Sequence, residues 1–464
     1  MVLQITQDAF DNTVKENMQE FDLSLTDAIK DTIKEYEAQG VDLSHIIVDL
    51  MAVNIDCEKL HEAVNALKSY TAGSSVDIQA IKPVLTCIQT ECKRGLTYQV
   101  LAGKDGTYKI ILDVLEKTGV PDESILECLK TLIALMTKQP DLLDEQGLKY
   151  IIKTLDETKN QEIITSLLKW VKECCVLHEY NRQHIFDAGI LEHLKPLLND
   201  AGSDLLCAVL GVLRALVLDD DIRVEFGRSH EHARAIASDT LASITNLLEK
   251  FKNDAAVMNE LLLTLSALLV RTEFCKKVDD AGALTIIQKA LQEFSNNDKL
   301  VRQCFKVLKA LAGNDECKTK IIKMGAAPVL VSTLNQNKQS AATASLGLAC
   351  IASLTLRSTE NSEALYIAGA PLVIIETMKI HPESESVQKN ASWAIRNMVS
   401  RSRQQNKEFL RLDAEALLKT ALLKYKNCEY DIKAALRDLE CDVELKEEWT
   451  GKGGKLQTDA TKAK

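Results

Sequence analysis

A short turn of acidic or small residues, usually containing glycine and followed by a Leu- or Ile-rich helix, recurs along this chain. It reads Lys104-Asp105-Gly106, Glu145-Gln146-Gly147, Asp187-Ala188-Gly189, Asp280-Ala281-Gly282, Lys323-Met324-Gly325 and Ile367-Ala368-Gly369. Weaker copies at Ser238-Asp239-Thr240 and Leu412-Asp413-Ala414 extend the series. Taken at positions 106, 147, 189, 239, 282, 325, 369 and 413, the copies are separated by 41, 42, 50, 43, 43, 44 and 44 residues. A unit of that size holds two or three helices but leaves an apolar face uncovered, so it must stack on its neighbours. Val301, Phe305, Leu308 and Leu311 carry the helical period inside one unit. Glycine at the turn allows a positive φ or a close approach where one helix hands over to the next.

Composition supports long helices, with only 5% aromatic residues and 7 prolines in 464 residues. The thirteen cysteines include no CxxC pair, and many adjoin apolar residues, as Cys175 adjoins Val176 and Cys304 adjoins Phe305. That usage predicts buried thiols in a reducing compartment. Neither a signal peptide nor a transit peptide is legible in Met1–Phe10, and no long uncharged apolar run occurs, so a cytosolic protein is expected, with the nucleus left open. Residues 1–60 hold 13 Asp or Glu against 4 Lys, which is most of the formal net charge of −11. The nearly neutral remainder has no basic block, which argues against nucleic-acid and membrane-surface binding.

The turns resemble those of the armadillo family, and Ala391-Ser392-Trp393-Ala394-Ile395-Arg396-Asn397-Met398 is similar to that family's concave-helix signature. Further stretches resemble one branch of the family over almost the whole chain. They include Gly40-Val41-Asp42-Leu43-Ser44, Gln139-Pro140-Asp141-Leu142-Leu143-Asp144, Asp219-Asp220-Asp221-Ile222-Arg223, Ala312-Gly313-Asn314-Asp315 and Ala434-Ala435-Leu436-Arg437-Asp438-Leu439. The resemblance implies an all-α, armadillo/HEAT-type right-handed superhelical solenoid of about eight repeats, with the last helix of each unit lining a concave surface. The expected organisation is an acidic helical cap or arm over 1–95, repeats over 96–428, a capping helix over 429–449 and a disordered tail over 450–464. Members that grip extended peptides repeat an asparagine on successive concave helices. Here only Asn397 fills that slot, the others being Thr131, Glu173, Ala215, Ala267, Ala310 and Ser353.

One position earlier, a basic residue recurs at Lys130, Lys172, Arg214, Lys309 and Arg396, with Ser266 and Ala352 as exceptions. Two readings stay open: a solvated edge whose long side chains lie beside apolar faces, or a ladder facing an acidic ligand. Trp393 and Asn397 join the ladder as candidate contacts. A long insertion at about 217–237 carries Asp219, Asp220, Asp221, Arg223, His230 and His232. A longer inter-helix loop suits partner contact, a plain structural loop is the alternative, and His-x-His with Asp raises a metal site that lacks a cysteine at ligand spacing. No nucleophile elbow, phosphate loop, dinucleotide fingerprint or HExxH is present, and Cys174-Cys175 lies within a repeat helix. The expectation is a non-enzymatic scaffold without cofactor or metal, monomeric, holding a protein partner such as an acidic segment along the concave face. The alternatives are a regulator or folding factor of an enzyme such as a GTPase, and metal-dependent activity in the insertion.

Overall fold

The computed structural model describes residues 5, 7–41, 43, 46, 57–71, 78–117, 119–200 and 202–443, and among these every regular element is helical. The chain divides into two compact units, Met1–Ser243 and Ile244–Lys464, with the division inside the helix Ser229–Lys250.

The first unit opens with a helical hairpin, Gln7–Phe21 and Leu25–Ala38. Ser24 caps the second helix and Gly40, at φ 74°, stops it. The hairpin has its own small core of Phe10, Val14, Ala28, Ile29 and Ile46, against which Ile33 and Tyr36 pack. Asp11 ties it to Lys104 at 2.5 Å, at the end of the helix Leu96–Lys104. The acidic arm is therefore fastened beside the first repeat turn. The proposed tail from 450 lies outside the described residues, as does the end of the proposed capping helix.

Among the described residues eight repeat units follow. Six have a short first helix of 6 to 9 residues, a second helix and a long third helix, as in Thr272–Asp280, Ala283–Glu293 and Asp298–Leu311. The third helices stack on one another within each unit of the chain: Asp122–Met136, preceded in the stack by Ile78–Cys92, then Gln161–Cys175 and Ser203–Ala215 in the first, and Ala255–Leu268, Asp298–Leu311, Ala341–Thr355, Glu385–Val399 and Glu429–Asp438 in the second. The last of these is only ten residues long and serves as the third helix of the eighth repeat. The seams are apolar: Leu167, Leu168 and Val171 on one third helix, and Val301, Phe305 and Leu308 on another, are almost fully buried.

The turn glycines do the expected work at five copies, where Gly106, Gly189, Gly282, Gly325 and Gly369 sit at φ between 81° and 88°. Asp413 takes the same left-handed conformation at φ 69°, which Asp tolerates better than most residues. Two copies differ. Ser238-Asp239-Thr240 is not a turn, because the helix Ser229–Lys250 runs through it without interruption. Gly147 has no positive φ and lies inside the helix Glu145–Glu157, three residues past its cap Asp144. Its missing side chain leaves room for the Tyr108 hydroxyl and the Trp170 ring. All thirteen cysteines are free thiols, and burial pushes Cys128, Cys175, Cys304 and Cys350 up to about 12.

Candidate partner-binding surfaces

Each third helix begins at a cap, which gives a better ruler than the turns. Asn160, Asp254, Asn297, Ser340 and Ser384 accept backbone N–H bonds there, while Pro121 and Gly202 hold the same place without a side-chain bond. The twelfth residue after the cap is Lys172, Arg214, Ser266, Lys309, Ala352 or Arg396, but in the first repeat it is Ile133. Lys130 is one turn out of that row and shares its place with Lys169, Gly211, Leu263, Lys306, Ala349 and Trp393. The asparagine slot of that repeat is correspondingly Ala134, not Thr131. The slip arises because the turn glycines do not keep one distance from the caps, which lie 15 residues beyond Gly106 but 13 beyond Gly147 and Gly189.

The basic side chains of the third helices differ in how far they are committed. Lys130 is exposed and bonds Glu127 at 2.7 Å. Burial works against the charge of Glu127, but the bonds from Lys130 and Gln89 outweigh it and hold its carboxyl below the usual range. Lys172 is exposed, 3.9 Å from Glu173, and its stem lies over Gly211 of the next third helix. Arg214 is half-buried.

On Asp298–Leu311 the pattern sharpens, because Lys299, Arg302, Lys306 and Lys309 follow at spacings of three, four and three and form one stripe. Arg302 pairs with Asp298 at 3.2 Å, the only carboxylate on that helix. Lys299, Lys306 and Lys309 have no ion pair among the described residues. The next third helix, Ala341–Thr355, carries no charged residue. Beyond it, Lys389 lies over the Trp393 ring at 5.8 Å, and Trp393 Nε1 donates to Asp431 at 2.8 Å. Arg396 faces Tyr430 at 5.9 Å, with Asp438 at 3.9 Å from its Nε. Asn397 donates to the carbonyl of Ala352 at 2.8 Å, and Asn390 to that of Ser345 at 3.0 Å. Both amides therefore stitch the helix to its predecessor. Lys169, Lys299, Arg302 and Lys306 were missed in the sequence, although the helical period and the cap residues signal them.

The insertion is a structured segment over 217–228, followed directly by the helix from Ser229 that includes the rest of the expected loop. Asp220 bonds the buried Arg182 at 2.6 Å, and Arg182 also bonds Glu179 at 2.9 Å and the carbonyl of Cys175 at 2.8 Å. Asp221 accepts from the Glu179 N–H at 2.8 Å and from Arg223 Nε at 2.8 Å. Arg223 reaches Asp141 at 2.8 Å, and His178 Nε2 lies 3.2 Å from the same carboxylate. His178 Nδ1 accepts from the Asn181 N–H, so the neutral ring donates through Nε2. His178 and Arg223 together hold Asp141 well below the usual carboxylate range. Against the cost of burial, Arg223 and the Glu179 N–H likewise lower Asp221.

Asp219 and His230 are exposed, whereas His232 is buried, stacks on Phe186 at 4.1 Å and contacts the Leu216 carbonyl at 3.0 Å. Burial lowers its pKa. The two histidines thus point to different surroundings, and among the described residues no group of three or more His, Cys, Asp or Glu converges as metal ligands would. No helix among them is long and apolar enough to cross a membrane.

The ARMC6 family profile matches residues 60–458, and that of the armadillo repeat-containing protein 6 N-terminal domain matches residues 2–73. The armadillo repeat-containing protein 6 homolog of Drosophila melanogaster is 39% identical over 96% of this chain and 97% of its own length. Armadillo repeat-containing protein 6 of Homo sapiens is 34% identical over 97% and 94%. Among solved structures, an engineered protein superposes with a TM-score of 0.53 at 16% identity, covering 82% of this chain and 99% of its own. A chain solved in work on a phosphorylation switch controlling the interaction between cadherin and beta-catenin gives 0.56 at 13% identity, covering 82% and 68%. These two likenesses speak to the fold. The chain belongs to the armadillo repeat-containing protein 6 family.

Proposed function

We propose that this protein is a non-enzymatic scaffold that holds an acidic segment of a protein partner against the outward face of its third helices. The observation that carries the reading is the stripe Lys299, Arg302, Lys306 and Lys309, which has a single carboxylate on its own helix and an uncharged helix beside it. Uncompensated like charges at adjacent turns repel one another, and an anionic ligand relieves that repulsion. The stripe spans eleven residues, or about 15 Å of helix, a length that about five extended residues cover. Trp393, Arg396 and Asn397 border it across the uncharged helix. In the first unit Lys130, Lys169, Lys172 and Arg214 supply a sparser version of the same surface.

A fluorescein-labelled decaglutamate peptide tests the proposal by anisotropy. With about 0.5 kcal/mol from each exposed pair, Lys299→Gln/Lys306→Gln/Lys309→Gln should weaken binding about tenfold. Raising the salt from 50 to 300 mM should weaken the wild type further and the variant less. Unchanged affinity in the triple variant would overturn the reading.

A further inference from the structure

The segment 217–228 distributes polarity in the opposite way from a solvated loop. Four of its six charged residues, Asp220, Asp221, Arg223 and Arg228, are spent on the protein itself, whereas Ile222 is 51% and Phe226 83% exposed. A second segment runs beside it and does the same, with Leu177 45% and Tyr180 57% exposed next to the buried Glu179. The two backbones are clamped together. The Leu177 N–H donates to Asp220 at 3.2 Å, the Leu177 carbonyl accepts from Arg223 at 2.8 Å, and the Arg228 N–H donates to Glu179 at 2.5 Å. Leu177 is held at φ 58°, in the left-handed region that a leucine rarely occupies.

Four bulky apolar side chains therefore leave two chain segments whose positions are set by buried ion pairs. Leaving them in water contributes nothing to folding, yet their order in advance lowers the entropic cost of binding, as at the anchors of protein interfaces. The charges beside them indicate the partner's chemistry. Asp219 and Glu225 are exposed with no ion pair among the described residues, while Arg223 and Arg228 are each bonded to two carboxylates. We propose that Leu177, Tyr180, Ile222 and Phe226 form a second docking surface, which takes a partner segment bearing bulky apolar side chains flanked by Lys or Arg. It lies wholly in the first unit and is independent of the acidic-segment reading.

The probes are two labelled 18-residue amphipathic peptides, one of Leu, Phe and Lys and one with Glu in place of Lys, titrated against the full chain. The Lys peptide should bind, protecting 177–180 and 220–228 from hydrogen exchange. Ile222→Ser/Phe226→Ser should weaken it at least tenfold, and Asp219→Asn/Glu225→Gln three- to tenfold. The Glu peptide should bind at least tenfold more weakly than the Lys peptide. The lysine-stripe triple variant should bind the Lys peptide as the wild type does, which separates the two surfaces. Both loop pairs are exposed, so their melting curves should match the wild type. Equal binding of both peptides, or unaltered binding by the Ile222/Phe226 variant, would overturn the proposal. So would a concentration-dependent dimer abolished by that variant, since the occupant would then be a second copy of this chain.

Discussion

Arg182 offers the sharpest test of how the inserted segment is held. Its side chain is 1% exposed and bonds Glu179, Asp220 and the Cys175 carbonyl. Arg182→Met keeps most of the aliphatic volume and removes the charge. Breaking a buried ion pair costs about 3–5 kcal/mol, because the surviving charge stays desolvated. Glu179 would retain donors from Gln183 at 2.8 Å and from the Arg228 N–H at 2.5 Å, which places the expected loss near the lower end, about 3 kcal/mol. The double variant Glu179→Gln/Arg182→Met removes the buried Glu179 carboxylate together with its partner, leaving only the half-buried Asp220 without its cation, and should cost less than the sum of the singles, with about 1–3 kcal/mol of coupling. Trp170 is fully buried in the adjoining third helix and donates to the Met136 sulfur at 3.0 Å, so its fluorescence reports on this unit. Urea unfolding in a Trp393→Phe/Trp449→Phe background would isolate that signal. A loss below about 1 kcal/mol for Arg182→Met, or additive singles, would show that the network does not hold the segment by buried charge.

Two further outcomes follow from the same unit. Burial holds His232 below the ordinary histidine value of about 6.5, so the unfolded chain takes up a proton first as pH falls. Stability should therefore decline from about pH 6.5 downward until the folded ring also protonates, while lowered carboxylates such as Glu179 and Asp221 lose their contribution only nearer pH 4. His232→Gln should show a smaller fall in Tm between pH 7.5 and 5.5, and an equal fall would exclude His232 as the cause. At Gly147 an added methyl would overlap the Tyr108 hydroxyl and press on Leu143. Gly147→Ala should thus destabilise the first unit by about 1–3 kcal/mol despite alanine's better helix propensity, and Tyr108→Phe should restore part of the loss. A stabilised Gly147→Ala protein would refute the close-approach argument.

The repeat and its helices were legible because each is written locally. A turn glycine needs only its own φ, and Val301, Phe305, Leu308 and Leu311 face one way by the geometry of a single helix. Lys172, Arg214, Lys309 and Arg396 recur along that period, each twelve residues beyond its cap, and the same distance from Pro121 reaches Ile133 and not Lys130. Gly147 was misread because its role is a contact with Tyr108, 39 positions earlier, and no local pattern distinguishes a turn glycine from a packing glycine. The partners of the insertion's charges were illegible for the same reason. Three aspartates in a row look solvated until Arg182 and Arg223 are brought to them across 38 and 2 residues, and until Asp141 arrives from 82 residues before Arg223. Local sequence therefore determined the helices, their period and the apolar seams between them. Only the tertiary stack decided which charges are spent on the protein and which face water, because the free energy of a charge depends on the partners and solvent that folding leaves beside it.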